Sequence, residues 1–173
     1  DEYKDTDCIQ TAIWFLDGVM QEFIDKSNGK DSLVRTHNHA KKGRALGLGV
    51  MGWHTFLQQK GLPFNSIAST AWTHTIFRDL SGKAEKASMD LAQEYGEPMW
   101  CRGTGMRNTH LLAVAPTVSN SVICGGISAG IETNIFPGEF LAGMNRMNLN
   151  LVSSKHSKDV ALSTSFNQQN KQG

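Results

Sequence analysis

The chain has 173 residues, 39% of them hydrophobic and 19% charged, and 17 Lys and Arg against 16 Asp and Glu give a formal charge of +1. That length supports one domain with a real core, while the near-neutral balance offers neither the basic stripe of a nucleic-acid binder nor an acidic solvating tail. No run approaches the roughly 18 uninterrupted apolar residues of a membrane span, and the opening DEYKDTD has no signal-peptide pattern.

The first element in chain order is a helix. Ile9, Ala12, Ile13, Phe15, Leu16, Val19, Met20, Phe23 and Ile24 recur at three- and four-residue intervals and make a wide apolar face. Thr6 or Asp7 can cap its start, and Asn28-Gly29 ends it. A short polar helix is predicted through residues 36–42. Gly43, Gly47, Gly49 and Gly52 then punctuate the apolar run 45–51, a pattern of a strand or tight loop approached closely by another backbone. Trp53, Phe56 and Leu57 open a helix that ends at Lys60-Gly61, with Pro63 beyond.

The longest periodic stretch is 66–95. Ile67, Ala71, Trp72, Thr75, Ile76, Leu80, Ala84, Ala87 and Leu91 share one face, and Gly96 closes it. Gly82 near the centre predicts one helix with a weak point, a kink, or two helices. A loop runs from Glu97 to Arg107. Residues 111–115 are nearly continuously apolar and predict a strand buried on both faces. Strands alternating with helices give an α/β class with a parallel sheet.

Residues 108–132 read NTHLLAVAPTVSNSVICGGISAGIE. An apolar run meets Pro116, then a turn carrying Thr117, Ser119 and Ser121, then paired glycines. Such a strand, turn and helix start can hold a phosphate through free backbone N–H groups, the positive end of a helix dipole and the hydroxyls. The plainer alternative is that Thr117 or Ser119 caps a helix.

Together with RALGLGVMGWHTFL at 44–57 and GMRNTHLLAVAPT at 105–117, this segment resembles the large (alpha) subunit of class I ribonucleotide reductase, bacterial and phage type, from about residue 5 to about 132. The resemblance implies a partial segment of the family's ten-stranded α/β barrel over residues 1–140. It also implies that Pro116, Thr117, Val118, Ser119, Asn120 and Ser121 hold the diphosphate of a ribonucleoside diphosphate substrate. The family often has further Ser or Thr where Val118 and Asn120 stand, which favours main-chain over side-chain contacts at those two positions. The partners implied are a radical-generating, metal-containing small subunit and, for a divided enzyme, the remainder of the large subunit. No membrane or nucleic acid is expected, and no cofactor within this chain.

The family's radical chemistry needs a cysteine in an N-x-C-x-E arrangement, two further cysteines and, later, two adjacent tyrosines; none of these patterns occurs here, so no catalytic residue is assigned. The three cysteines, Cys8, Cys101 and Cys124, form neither a disulfide framework nor a CxxC metal site, which points to a reducing cytoplasm. Cys8 and Cys124, among apolar neighbours, are expected to be small buried hydrophobes. Cys101, beside Trp100 and Arg102, could have a lowered pKa, but the plainer expectation is a loop thiol with no role. His37 and His39 stand two apart, too divergent on a helix to share a metal; the other histidines stand singly, and no metal site is assigned. Arg44 and Arg107 could face an anion or pair with an acid.

Where the family has Pro after Gly-Ile-Glu, Thr133 follows Gly130-Ile131-Glu132, and residues 141–173 are rich in Asn, Ser, Lys and Gln. That tail is expected to be poorly ordered or to need a partner surface. The chain thus reads as a piece of the reductase, either one part of a split enzyme or a truncation product. A non-catalytic nucleotide-binding or assembly module is the alternative from a different class.

Overall fold

A computed structural model of the chain describes residues 5–133. The expected tail boundary at residue 141 lies outside the described residues. Five α-helices follow in order: α1, Cys8–Ser27; α2, Val34–Gly43; α3, Trp53–Gln59; α4, Ile67–Tyr95; and α5, Val118–Ile123. Short 3-10 turns, Asp31–Leu33 and Met99–Cys101, complete the set. None of the described helices is long and apolar enough to cross a membrane. The described residues divide into two compact units, 5–50 with 70–115, and 51–69 with 116–133.

In the first unit, the apolar stripes of α1 and α4 bury Ile9, Ile13, Leu80, Ala84, Ala87 and Leu91 together with Leu46. The helix boundaries follow the predicted punctuation. Asp7 and Asn28 flank α1, and Gly29 takes the left-handed conformation just beyond it (φ 73°). Gly96 (φ 80°) stands just past α4, which runs through Gly82 as one helix of 29 residues. The apolar faces are only partly covered. Phe15 on α1 is 70% exposed and Ile67 on α4 is 91% exposed.

Residues 45–50 and 108–113 lie side by side, as the glycine punctuation predicts. The Leu48 N–H donates to Leu111 O (2.8 Å) and the Ala113 N–H to Leu48 O (3.0 Å), making one isolated parallel bridge between Leu48 and Leu112. A Cβ on Gly49 would sit 2.5 Å from the Ala113 carbonyl oxygen, so only glycine fits there. Of the expected parallel sheet, the described residues show this bridge and no longer ladder. Nor is 111–115 buried on both faces, since Val114 is 67% exposed. An apolar run signals burial, but a parallel strand needs a neighbour on each side, and the described residues supply a short one on one side only.

In the second unit, α3 starts at Gly52 (φ 78°), which has no side chain to cap it. Ser128 supplies the cap from a distant part of the sequence. Its buried hydroxyl accepts from the Thr55 N–H (3.1 Å), its carbonyl accepts from the Gly52 N–H (2.8 Å), and its own N–H donates to Thr55 Oγ1 (2.8 Å).

Candidate functional site

Residues 116–121 form the start of α5, and Thr117 sits at the N-cap position in the left-handed conformation (φ 42°, ψ 30°). A β-branched residue pays for that conformation and keeps it only where its surroundings demand it. Here the Thr117 hydroxyl oxygen accepts the Gly130 N–H (3.0 Å), tying the end of the 124–130 loop to the mouth of the helix, and Thr117 O accepts the Ser121 N–H (2.9 Å). Thr117 therefore does not cap α5 with its side chain.

Ser121 is buried, and its hydroxyl donates to Val118 O (2.7 Å), so its proton is committed within the helix. Pro116, Val118, Ser119 and Asn120 are exposed. The first turn of any helix leaves its N–H groups without intrahelical acceptors, and in α5 these belong to Val118, Ser119 and Asn120, all exposed residues. Gly125 (φ 89°) and Gly126 (φ 74°) turn the chain back, and the Gly126 N–H closes on Ser121 O (2.9 Å). The hydroxyls expected to act together thus separate: Ser119 outward, Ser121 inward, and Thr117 as the hinge between the helix and the returning loop.

A second polar constellation is buried in the first unit. Asp17, on the inner face of α1, accepts from Arg44 Nε (2.9 Å) and Nη2 (2.8 Å), from Arg107 Nε (2.9 Å) and from Asn108 Nδ2 (2.8 Å). Burial pushes the Asp17 carboxyl towards its neutral form, but the bonds from Arg44, Arg107 and Asn108 outweigh this and hold its pKa below the ordinary value. Arg107 also donates to the carbonyls of Tyr95 (3.0 Å) and Gly96 (2.9 Å), satisfying the end of α4. Asn108 Nδ2 reaches Arg44 O (3.0 Å), and Asn108 Oδ1 accepts from the Ser88 hydroxyl (2.8 Å). Both arginines are thus paired with an acid, one of the two roles open to them. Asp17 itself was not foreseeable as their partner, because an aspartate on an otherwise apolar helix face carries no signal of which cations will reach it.

Cys8 and Cys124 are exposed, against the expectation of burial: each lies beside apolar residues in sequence but on the outer side of its helix or turn. Cys101 is the buried one, and its thiol pKa is raised by burial and by the nearby Glu97 rather than lowered by Arg102. Among the described residues no group of three or more His, Cys, Asp and Glu could hold a metal ion.

Comparison with known proteins gives the fold a family context. The model of the ribonucleotide reductase barrel domain matches residues 2–100. The chain is 36% identical over 147 residues to the ribonucleoside-diphosphate reductase large subunit of Invertebrate iridescent virus 6, covering 83% of this chain and 15% of that protein. It is 39% identical over 136 residues to a Frog virus 3 (isolate Goorha) protein provisionally named as the same subunit, covering 78% of this chain and 24% of that one. Among solved structures, the Actinobacillus ureae class Id ribonucleotide reductase alpha subunit superposes with a TM-score of 0.77 at 38% identity, over 94% of this chain and 32% of that one. The chain spans less than a third of the length of each of these three proteins.

Proposed function

The chain belongs to the ribonucleotide reductase barrel-domain family, and from that membership we propose that it is a piece of the catalytic barrel of a ribonucleoside-diphosphate reductase large subunit and carries the loop that holds the substrate diphosphate. The observation that carries this reading is the start of α5. A β-branched residue held in the left-handed conformation, its side chain tied to Gly130, precedes a first helical turn whose three residues, Val118, Ser119 and Asn120, are exposed, and the amides of a first turn have no intrahelical acceptor. A diphosphate is the ligand this arrangement suits, since its oxygens accept several convergent donors and its charge meets the positive helix end.

The roles divide by position. The amides of Val118, Ser119 and Asn120 are the donors that no side-chain change removes, and Ser119 adds a hydroxyl. Thr117 shapes the loop and keeps its own hydroxyl proton for the ligand. Ser121 and Pro116 fix the turn. The substrate, a ribonucleoside diphosphate, and a radical-generating small subunit are partners of the whole enzyme, to which this chain contributes one part. The test is diphosphate affinity in an enzyme assembled with this chain. Ser119→Ala should weaken binding by roughly tenfold, the lower end of what one charge-assisted hydrogen bond supplies, with no change in stability. Thr117→Ala should lower stability instead by freeing the Gly130 amide. Affinity untouched by Ser119→Ala would restrict the site to its backbone donors. Absence of diphosphate binding in the unsubstituted assembly would end the assignment.

A further inference from the structure

Five asparagines stand among the described residues, at positions 28, 38, 65, 108 and 120. Asparagine is a labile residue, because the backbone nitrogen that follows it can attack its side-chain carbonyl carbon. A nitrogen whose N–H is already committed to an acceptor is held away from that reaction. After four of the five asparagines it is committed. The Ser66 N–H donates to Pro63 O (3.1 Å), the Thr109 N–H to Gly43 O (3.0 Å) and the Ser121 N–H to Thr117 O (2.9 Å). The His39 N–H lies inside α2, where the helical ladder takes it. The Gly29 N–H, after Asn28, has no acceptor among the described residues.

The local geometry explains why. Asn28 (φ −63°, ψ 133°) and Gly29 (φ 73°) have the backbone of the central pair of a type II turn, closed by the Lys30 N–H on Ser27 O (3.3 Å). In such a turn the N–H between the two central residues points away from the closing bond. Both residues are exposed, and nothing lies within 4 Å of the place where a Gly29 side chain would begin. The Asn28 side chain makes no bond within the described residues. Attack requires the Asn28 backbone to swing until the Gly29 nitrogen faces Cγ. The closing bond that resists this is longer than an ordinary backbone bond, and glycine adds no Cβ to hinder it.

We propose that Asn28 is a modification site at which the chain deamidates itself, and that the product loosens the joint between α1 and α2. The Gly29 nitrogen gives its proton to solvent and bonds to Asn28 Cγ. The Cγ–Nδ2 bond breaks, and ammonia leaves with a proton from water. Water then opens the cyclic imide at one carbonyl or the other, leaving aspartate or isoaspartate, with no oxidation or reduction. The new carboxylate stands at the C-cap of α1, where the helix dipole is negative. Its neighbour is Ser27, whose buried hydroxyl lies 3.0 Å from His37 Nδ1 and links α1 to α2. Isoaspartate also lengthens the backbone at this turn. The site is independent of the diphosphate reading.

The experiment is to age the full chain in neutral buffer and map its peptides by mass spectrometry, with aspartate and isoaspartate resolved. The Asn28 peptide should convert first and yield both products, while the peptides carrying Asn38, Asn65, Asn108 and Asn120 keep their amides. Asn28→Gln should lose the conversion, and Gly29→Ala should slow it. In urea, where the bonds guarding Ser66 and Ser121 are gone, the lead of Asn28 over Asn65 and Asn120 should narrow. An intact Asn28 amide beside a converted Asn65 or Asn120 overturns the site. Aspartate formed without isoaspartate overturns the cyclic route. For the consequence, Asn28→Asp should lose helical circular dichroism at a lower temperature than the parent chain, and an unchanged midpoint overturns the effect on the α1–α2 joint.

Discussion

Removing the Asp17 carboxylate would leave Arg44 and Arg107 facing each other in a buried setting, with Asn108 deprived of one acceptor. Asp17→Ala should therefore destabilise by about 3–5 kcal/mol, read as a shift in the urea midpoint. The pH dependence has a definite sign. The folded pKa of Asp17 lies below its ordinary 3.8, so its contribution is fully present above that value and is lost as pH falls through the lowered one. Asp17→Asn should flatten this acid limb of the stability curve. The thiols give a second test at this scale: a maleimide should label Cys8 and Cys124 in the folded chain and Cys101 only after denaturation, because Cys101 is buried and its thiolate disfavoured. Pairing for Arg44 and Arg107 was legible in the sequence as one of two options, but their partner was not. Asp17 lies 27 residues from Arg44 and 90 from Arg107, and such contacts leave no local periodicity.

At the scale of elements, glycines separate the tight places from the open ones. Gly49→Ala would force a Cβ against the Ala113 carbonyl and should cost about 1–3 kcal/mol. Gly82→Ala, with nothing within 4 Å of the added methyl, should stabilise α4 by about 0.5–1 kcal/mol. Thermal melts of the two variants should move in opposite directions. Helix C-terminal ends were readable because glycines act locally: Asn28-Gly29, Lys60-Gly61 and Gly96 stand at the boundaries they signal, whereas Asp7 takes the N-cap position of α1 without a side-chain capping bond. The run 111–115 misled for the opposite reason. Its apolar character records what it is suited to pack against, which no local pattern can supply. The candidate loop was legible as a hydroxyl-rich helix start, yet the inward turn of Ser121 and the bond from Gly130 to Thr117 depend on the returning glycine loop. Ser128, which caps α3 from 73 residues away, gave no signal at all.

At the scale of the molecule, Phe15, Val19 and Phe23 repeat every four residues along one side of α1 and remain exposed, as do Ile67, Val114 and Ile123. Apolar rows of this kind are covered in a finished assembly and drive association without it. Light scattering of the chain alone should show concentration-dependent association; a monomer with a single sharp cooperative melt would contradict this. Without a cysteine in an N-x-C-x-E arrangement, the chain alone should also show no reductase turnover when a radical-generating subunit is added. The central claim is that residues 116–121 hold a substrate diphosphate. Its most direct test is to transplant residues 108–132 into a full-length relative in place of the matching segment and to measure affinity for a ribonucleoside diphosphate. The account predicts a folded enzyme that retains diphosphate affinity and loses roughly tenfold of it on Ser119→Ala. A transplant that folds with an unchanged melt but no longer binds the diphosphate would contradict it.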